Sequence, residues 1–340
     1  MDMNISGSLT EVLPIEDQSQ VGHARRTTQK LAQQHGFDET DAGRVALVTT
    51  ELASNLLKHA GHGELHLRVL PRAQSCGIEI LAVDRGPGFD VQTALTDGFS
   101  TGGTQGIGLG AISRMADVFD VQADPRGSVV LARFYPRGDS TPDLALGVSQ
   151  HSLHNDPACG DSWHLVLHPQ GFNALVIDGL GHGVEAEQAA RAGEAAFARA
   201  SCSAPAILMD DLHQAMLGTR GGAAGFAQYR AGDQGGHLSF TGIGNISASL
   251  VTAERSRGLA SHPGIVGAQY RKAKAFDYPH VQGHLLIMHS DGLQSRWNLQ
   301  HYPGLVYRHP AVIATVLYRD FCRGRDDVTV LVVALENRHE

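Results

Sequence analysis

Hydrophobic positions change their period several times along the chain, and the changes divide it. Over residues 20–36 (QVGHARRTTQKLAQQHG) and again from residue 41 (DAGRVALVTTELASNLLKHAG), apolar side chains recur every three to four residues. That is the period of a helix with one buried face. In the second run Val45, Val48, Leu52 and Leu56 share the face, and Thr40 or Asp41 supplies the N-cap; Gly36 stops the first run. The pattern turns strand-like in GELHLRVLP and GIEILAVD, with a turn over residues 72–75. Residues 97–110 (DGFSTGGTQGIGLG) break the periodicity with six glycines in fourteen positions. A helix (AISRMADVF) and a strand pair around VFDVQAD and GSVVLARFYP follow.

The stretch PRGDSTPD, residues 136–143, combines turn formers with charge, so residues 138–143 are expected to link a domain of residues 1–137 to one of residues 144–340. Beyond it, strands dominate: LALGVSQHSL, WHLVLHP, FNALVIDG, AGFAQYRAG, HLSFTGIGN, ISASLVTA, HLLIMHSDG and VTVLVVALE. Two helices interrupt them, VEAEQAARAGEAAFARA and one around ILMDDLHQAMLG. The pattern predicts an α+β chain whose second half is a sheet-rich sandwich.

Composition narrows the function classes. At 340 residues, with 42% of them hydrophobic, the chain is long enough for two domains with real cores. Its 40 glycines, roughly 12% against a usual 7% or so, demand a local explanation. The net charge is -8, and on either side of residue 137 the chain carries -4, so no basic arm is hidden in the total. Nucleic acid is therefore not an expected partner. Four dispersed cysteines without a CxxC pair suggest a reduced, cytoplasmic chain. The first residues lack a basic segment followed by an apolar one, and no apolar run approaches 18 residues; neither a signal peptide nor a membrane span is expected. Nineteen histidines are scattered without HExxH or metal spacing and read as surface or core residues.

Two constellations carry chemistry. In the first, Glu51 and Asn55 share a helix face, with Lys58 and His59 a turn further on. Asp84-Arg85-Gly86-Pro87-Gly88 ends a strand, and Gly106-Ile107-Gly108-Leu109-Gly110 leads into a helix. A carboxylate at a strand end accepts a hydrogen bond from an adenine amino group, and flanking glycines let backbone approach the ring. An Asn amide oxygen suits Mg²⁺, glycine-rich backbone entering a helix suits phosphate, and Glu51 could take a proton from an attacking hydroxyl. Singly, each is more often a solvated helix face or a tight turn.

In this order the three pieces resemble the N, G1 and G2 boxes of the GHKL ATPases. Over residues 5–137 the chain is similar to RsbT-like serine kinases that regulate anti-sigma factors. The resemblance implies a Bergerat α/β sandwich binding ATP and Mg²⁺, with Asn55 the metal ligand, Asp84 the adenine anchor and Glu51 the general base. Nucleotide contacts are implied for Asn55, Lys58, His59, Gly86, Gly88, Thr104, Gly106, Gly108, Leu109 and Gly110.

The second constellation places Asp161, Asp178, Asp291, Asp326 and Asp327 at strand ends or turns, Asp178 and Asp291 each before a glycine. Asp-Gly is a common turn signal; converging, such carboxylates favour hard cations, Mg²⁺ or Mn²⁺. GDSW, VIDGLGHG, GIGN, HSDGL and GRDDVTVLVV resemble, in order, the boxes of the protein phosphatase 2C (PP2C) superfamily in its SpoIIE/RsbX branch. That implies a PP2C-like αββα sandwich in which Asp178 bridges two metals, assisted by the Gly179 carbonyl. Asp291 and Asp326 would complete one metal site, while Asp161 and Asp327 would ligate the other or stand just behind it. DGLGHG replaces the DGHGG of eukaryotic members, so His182 is not assigned their proton-donor role. No basic residue early in this half is an evident phosphate clamp.

Together the resemblances imply a kinase and a phosphatase acting in opposition on a STAS-domain anti-sigma-factor antagonist, in a partner-switching or stressosome pathway. The alternative is a phosphatase whose first domain only senses ATP or binds an anti-sigma partner. A pure binder needs Asn55, Asp84 and the glycines but no base, so Glu51 favours the kinase.

Overall fold

The computed structural model describes residues 2–6, 9–72, 74–95, 108–200, 203–232, 234–270 and 273–336, and these fall into two units. One comprises Thr10–Leu144 with Tyr307–Val316; the other comprises Ala145–Val306 and the chain from Leu317, together with the first residues through Leu9.

The chain opens with β1 (Met3–Ser6), which belongs to the larger unit. The smaller unit then runs through β2 (Glu11–Ile15), α1 (Gln18–Gln34), α2 (Glu39–Asn55), β3 (Gly63–Pro71), β4 (Cys76–Val83), α3 (Val91–Leu95), α4 (Gly108–Met115), β5 (Val118–Asp124) and β6 (Gly127–Phe134). Its sheet is antiparallel throughout, in the order β2-β3-β4-β6-β5.

Helix α1 starts at a capping box. The Asp17 carboxylate accepts from the backbone of Ser19 (2.7 Å) and Gln20 (3.2 Å), and the Gln20 side chain returns a bond to the Asp17 amide. Helix α2 is capped by Asp38, which accepts from the Asp41 amide at 2.7 Å. The expected cap, Thr40 or Asp41, lies inside the helix; Asp41 is buried and meets Arg44 and Arg137. Val45, Val48 and Leu52 of α2 pack with Val21 and Ala24 of α1 and with Leu65, Ile78 and Ile80 of the sheet. Burial of this apolar stripe, more than helix propensity, holds the layer.

Two carboxylates bind the stretch expected to be a linker. Asp139 takes Arg72 Nε at 2.7 Å, and Asp143 takes Arg133 Nη1 at 2.9 Å and His309 Nε2 at 3.0 Å. Arg133 is fully buried and also pairs with buried Glu79 through Nε (2.8 Å) and Nη2 (2.7 Å).

The larger unit continues through β7 (Leu146–His151), β8 (Asp161–His168), β9 (Gly171–Gly179), α5 (Val184–Ala200), α6 (Pro205–Met216), β10 (Gly222–Arg230), β11 (His237–Ile243) and β12 (Ser247–Val251). Short strands β13 (Ser256–Gly258), β14 (Ser261–His262), β15 (Gly264–Ile265), β16 (Gln269–Tyr270) and β17 (Phe276–Pro279) precede β18 (Leu285–His289), α7 (Pro310–Phe321) and β19 (Val328–Ala334). One sheet is ordered β1-β8-β9-β10-β11-β14, with β17 also on β11; the other is β13-β12-β18-β19-β7. The sheets stack face to face: a Cβ on Gly225 of β10 would stand 3.2 Å from Met288 of β18. Phe197, Leu208, Leu212 and Met216 of α5 and α6 pack on Leu175, Ile177 and Phe226 of the first sheet. On the second sheet Tyr318 of α7 stacks on His151 of β7, ring centroids 3.7 Å apart. The layering is the α+β sandwich the motifs implied.

The expected division at residues 1–137 and 144–340 differs from these units at residues 138–144, which belong to the smaller unit, and at two further segments. Strand β1 runs antiparallel to β8 (Ile5 opposite Leu165), buries Ile5 and receives a 3.1 Å hydrogen bond between Asn4 Oδ1 and His164 Nε2. Residues 307–316 sit with the smaller unit, where Asp120 accepts from the His309 amide at 2.5 Å and from Arg308 Nη1 at 3.2 Å.

Candidate functional sites

In the smaller unit the geometry begins where α2 ends. Glu51 and Asn55 are half-buried, and at Asn55 the helix widens into one π-helical turn, Leu56–Ala60, closed by Gly61 at φ +81°. Single π turns within helices frequently mark functional positions. The sequence pattern predicted an unbroken α-helix here. The turn leaves Lys58 and His59 exposed and brings Ala60 against the Asp84 loop: a Cβ on Gly86 would stand 2.9 Å from Ala60 Cβ.

Asp84, directly after β4, is locked in orientation. Its Oδ1 accepts the Gly86 amide at 2.8 Å and the Ser128 amide at 3.1 Å, and its Oδ2 accepts the Ser128 hydroxyl. Ser128 was not foreseen; the signal was its place one residue into β6, beside β4. The close fit explains two glycines. Gly88 (φ +70°) would put a Cβ 2.3 Å from Asp124 O, and Gly127 (φ +131°) would put one 2.0 Å from Asp84 O. Gly108, Leu109 and Gly110 open α4, Gly108 at φ +68°. Thr104 and Gly106 lie outside the described residues. The arrangement joins the Glu51–Asn55 helix end to the fixed Asp84 carboxylate, and its donors and backbone suit a purine nucleotide and its cation.

In the larger unit the predicted aspartates gather at one end of the sandwich from both sheets. Asp161 opens β8 and faces Asp178, at the end of β9, across the ladder. Asp291 follows β18, and Asp326 and Asp327 precede β19, its antiparallel neighbour. Ser290 bridges the sheets: its hydroxyl donates to Asp161 Oδ2 at 2.6 Å and accepts the Thr329 amide at 3.0 Å. Asn245, after β11, donates to Asp291 Oδ2 at 2.6 Å. Neither contact was predicted, although Ser290 and Asn245 lie inside quoted motifs.

The carboxylates divide into two kinds. Asp327 is buried and accepts backbone amides at both oxygens, Leu153 at 2.7 Å and Gly160 at 2.6 Å. Asp161 is buried against Ser290. Both anchor loops here, because backbone and hydroxyl donors satisfy them. Asp178, Asp291 and Asp326 remain half-buried. Burial and the charges of Asp291 and Asp326 push Asp178 up to about 7, with the Asp291 amide as a partial offset. Burial raises Asp326 as well; the Asp327 amide, which donates to its Oδ1 at 2.9 Å, opposes this, the charges of Asp291 and Asp327 assist it, and His182 opposes it weakly. Asp161 lies well above the carboxylate range through burial and the charge of Asp178. Gly179 is buried opposite Gly222. As placed, no three His, Cys, Asp or Glu side chains among the described residues close into a metal-ligand shell. The donor set nevertheless fits a hard divalent cation: it is all oxygen, and like charge adds to burial in raising Asp178 and Asp326.

Comparison with known proteins adds independent findings. Residues 15–134 match the histidine kinase-like ATPase domain family. The serine/threonine-protein kinase RsbT of Bacillus subtilis (strain 168) is 34% identical over 101 residues, 29% of this chain and 76% of that protein. A structure solved in connection with the bacterial stressosome, a modular system adapted to control secondary messenger signalling, is 25% identical. It covers 56% of this chain and 99% of its own, with a TM-score of 0.51. The PP2C phosphatase domain of SpoIIE from Bacillus subtilis, solved with a fragment of its regulatory domain, is 16% identical over 95% of each chain, with a TM-score of 0.49. Among the described residues, no helix is long and apolar enough to cross a membrane.

Proposed function

Because the chain belongs, through residues 15–134, to the histidine kinase-like ATPase family and is similar to RsbT, we propose that it is a bifunctional protein serine/threonine kinase and phosphatase. The first unit phosphorylates a Ser or Thr of a STAS-domain anti-sigma-factor antagonist, and the second removes that phosphate. The likeness to RsbT and to a structure from stressosome work supports the kinase and its setting. The observation that carries the phosphatase is the meeting of Asp178 with Asp291 and Asp326 from opposite sheets: burial and the charges of Asp291 and Asp326 raise Asp178, and burial and the charge of Asp291 raise Asp326.

In the kinase unit Asp84, fixed by Gly86 and Ser128, receives the adenine amino group, and Asn55 holds the nucleotide's Mg²⁺. Glu51, one turn earlier, takes the proton of the attacking hydroxyl. Lys58, His59, Gly86, Gly88 and the run Thr104, Gly106, Gly108, Leu109 and Gly110 contact the nucleotide. In the phosphatase unit Asp178, Asp291 and Asp326, with the Gly179 carbonyl, hold Mg²⁺ or Mn²⁺, and Asp161 and Asp327 stand behind them. Such cations, when bound, supply an activated water and a positive field for the phosphoester. Ser290 holds Asp161 and Asn245 holds Asp291 in place for that role.

The test is incubation with γ-labelled ATP, Mg²⁺ or Mn²⁺ and a candidate STAS protein. Glu51→Ala should abolish labelling, whereas Asp178→Ala should let label accumulate above wild type. An unchanged labelling level in Asp178→Ala would sink the opposed activities.

A further inference from the structure

We propose that Arg220 is the phosphate-orienting residue of the carboxylate site, an inference that rests on the phosphatase reading above. Arg220 lies in the turn from α6 to β10, and that turn is rigid. Thr219 donates through its amide (3.2 Å) and hydroxyl (2.7 Å) to Met216 O, and the Gly221 amide donates back to the Thr219 hydroxyl at 3.0 Å. Gly221 sits at φ +71°, and a Cβ there would stand 2.5 Å from Val266 O. Its carbonyl accepts the Leu180 amide at 3.0 Å, which fastens the turn to the residues that follow Asp178. The ladder register continues the link, with Gly222 opposite Gly179 and Ala223 opposite Asp178.

The guanidinium is carried over the Asp178 loop. Its Nη1 is 3.1 Å from where a Cβ on Gly181 would stand, so the absence of a side chain at Gly181 makes its seat. Its Nη2 pairs with Glu185 in the first turn of α5, not with any aspartate of the cluster. Both partners are about half exposed or more, and an ion pair between such side chains holds weakly. Glu185 therefore parks the guanidinium at the rim while leaving it exchangeable. A phosphoester at Asp178 offers a better partner, because the planar fork of Arg matches two phosphate oxygens. Arg323 and Arg325 lie on the exposed turn before Asp326, whereas Arg220 is the guanidinium set against Gly181 of the Asp178 loop. This assignment supplies the clamp that the early residues of the second half lack.

The test uses the full chain saturated with Mg²⁺, titrated with inorganic phosphate and followed by phosphorus NMR, alongside hydrolysis of p-nitrophenyl phosphate. Arg220→Ala should weaken phosphate binding and raise KM about tenfold or more, the loss expected for a charge-assisted hydrogen bond. Mg²⁺ affinity and thermal stability should stay at wild-type values. Arg220→Lys should recover only part of the binding, since a point charge lacks the fork. Arg325→Ala should bind phosphate as wild type, and Glu185→Gln should bind it equally or more tightly. Overturning results are phosphate binding in Arg220→Ala within about twofold of wild type, or an equal loss in Arg325→Ala or Glu185→Gln. A loss of Mg²⁺ affinity in Arg220→Ala would mark a merely structural residue. Wild-type protein that neither hydrolyses p-nitrophenyl phosphate nor binds phosphate would instead overturn the phosphatase reading itself.

Discussion

Ser290→Ala separates a residue that holds the aspartate site from one that merely lies near it. Ser290 is fully buried, and its hydroxyl performs two jobs: it donates to Asp161 at 2.6 Å and accepts the Thr329 amide at 3.0 Å. Alanine deletes both. An orphaned buried amide costs about 1–3 kcal/mol, and the bond to the carboxyl adds about 0.5–1.5 kcal/mol if Asp161 neutralises, or up to about 3 if it stays charged. Because burial already favours the neutral acid, the lower figure applies, giving about 3 kcal/mol in all. For a unit of this size that is a fall of roughly 6–12 °C in its calorimetric transition. Metal affinity should fall about tenfold or more, as when a buried partner that orients a ligand is removed. The double variant with Asp161→Asn tests the pairing, since coupled neighbours give a cycle energy of about 0.5–3 kcal/mol. A melting shift under about 2 °C, or a coupling indistinguishable from zero, would refute the account.

Three further outcomes follow from single contacts. Gly127→Ala, at φ +131° and 2.0 Å from Asp84 O, should cost about 2–4 kcal/mol and weaken binding of a fluorescent ATP analogue at least about tenfold, since the Asp84 loop must move. Glu79→Gln leaves Arg133 and Arg68, both fully buried, without their shared counter-charge, so the smaller unit should lose about 3–5 kcal/mol in urea unfolding. Arg72's hydrogen bond, with those of Ser75 and Thr141, holds Asp139 well below the carboxylate range. Its folded value lies under its unfolded value, so its contribution is present above about pH 4 and disappears as pH falls through the folded value. Asp139→Asn should therefore flatten the acid-side decline in melting temperature; an unchanged slope would deny the pairing.

The legible parts of the fold were those whose period matched their burial. Helix α5 spans the same residues its pattern predicted, because one face is buried and the other wet. Helix α7 escaped notice because Ala311, Val312, Ile313, Ala314, Val316 and Leu317 are all fully buried, and a short apolar run does not by itself distinguish a buried helix from a buried strand. The sheet that strand β1 joins was not legible, since register depends on a partner far along the chain. The same limit applied at the sites. Motif order led to Asp84 and Asp178, but only the fold shows Ser128 and Ser290 holding their neighbours. Asp326 and Asp327 are adjacent and identical in type, yet two backbone amides occupy Asp327 while Asp326 stays half-buried beside Asp291. Charge is written in the sequence; the donors that consume it are not. The glycine excess became intelligible in the same way, where Gly88 and Gly127 let backbone close around Asp84 and Gly181 seats Arg220.

The two proposed sites also differ in where their positive charge originates, and this sets how they compete. Nucleotide reaches the first unit carrying its own cation. The second unit must draw cations from solution to offset Asp178, Asp291 and Asp326; burial, with the charges of the other two, lifts Asp178 to about 7. A phosphoserine carries about -1.5 to -2 charges at neutral pH, so an uncompensated carboxylate cluster repels it. At a fixed concentration of the Mg²⁺–ATP complex, lowering free Mg²⁺ should therefore slow dephosphorylation more than phosphorylation. The steady-state phosphorylated fraction of the STAS protein should fall as free Mg²⁺ rises in wild type, and stay flat in Asp178→Ala. A wild-type fraction independent of free Mg²⁺ would show that the aspartate cluster does not set the balance.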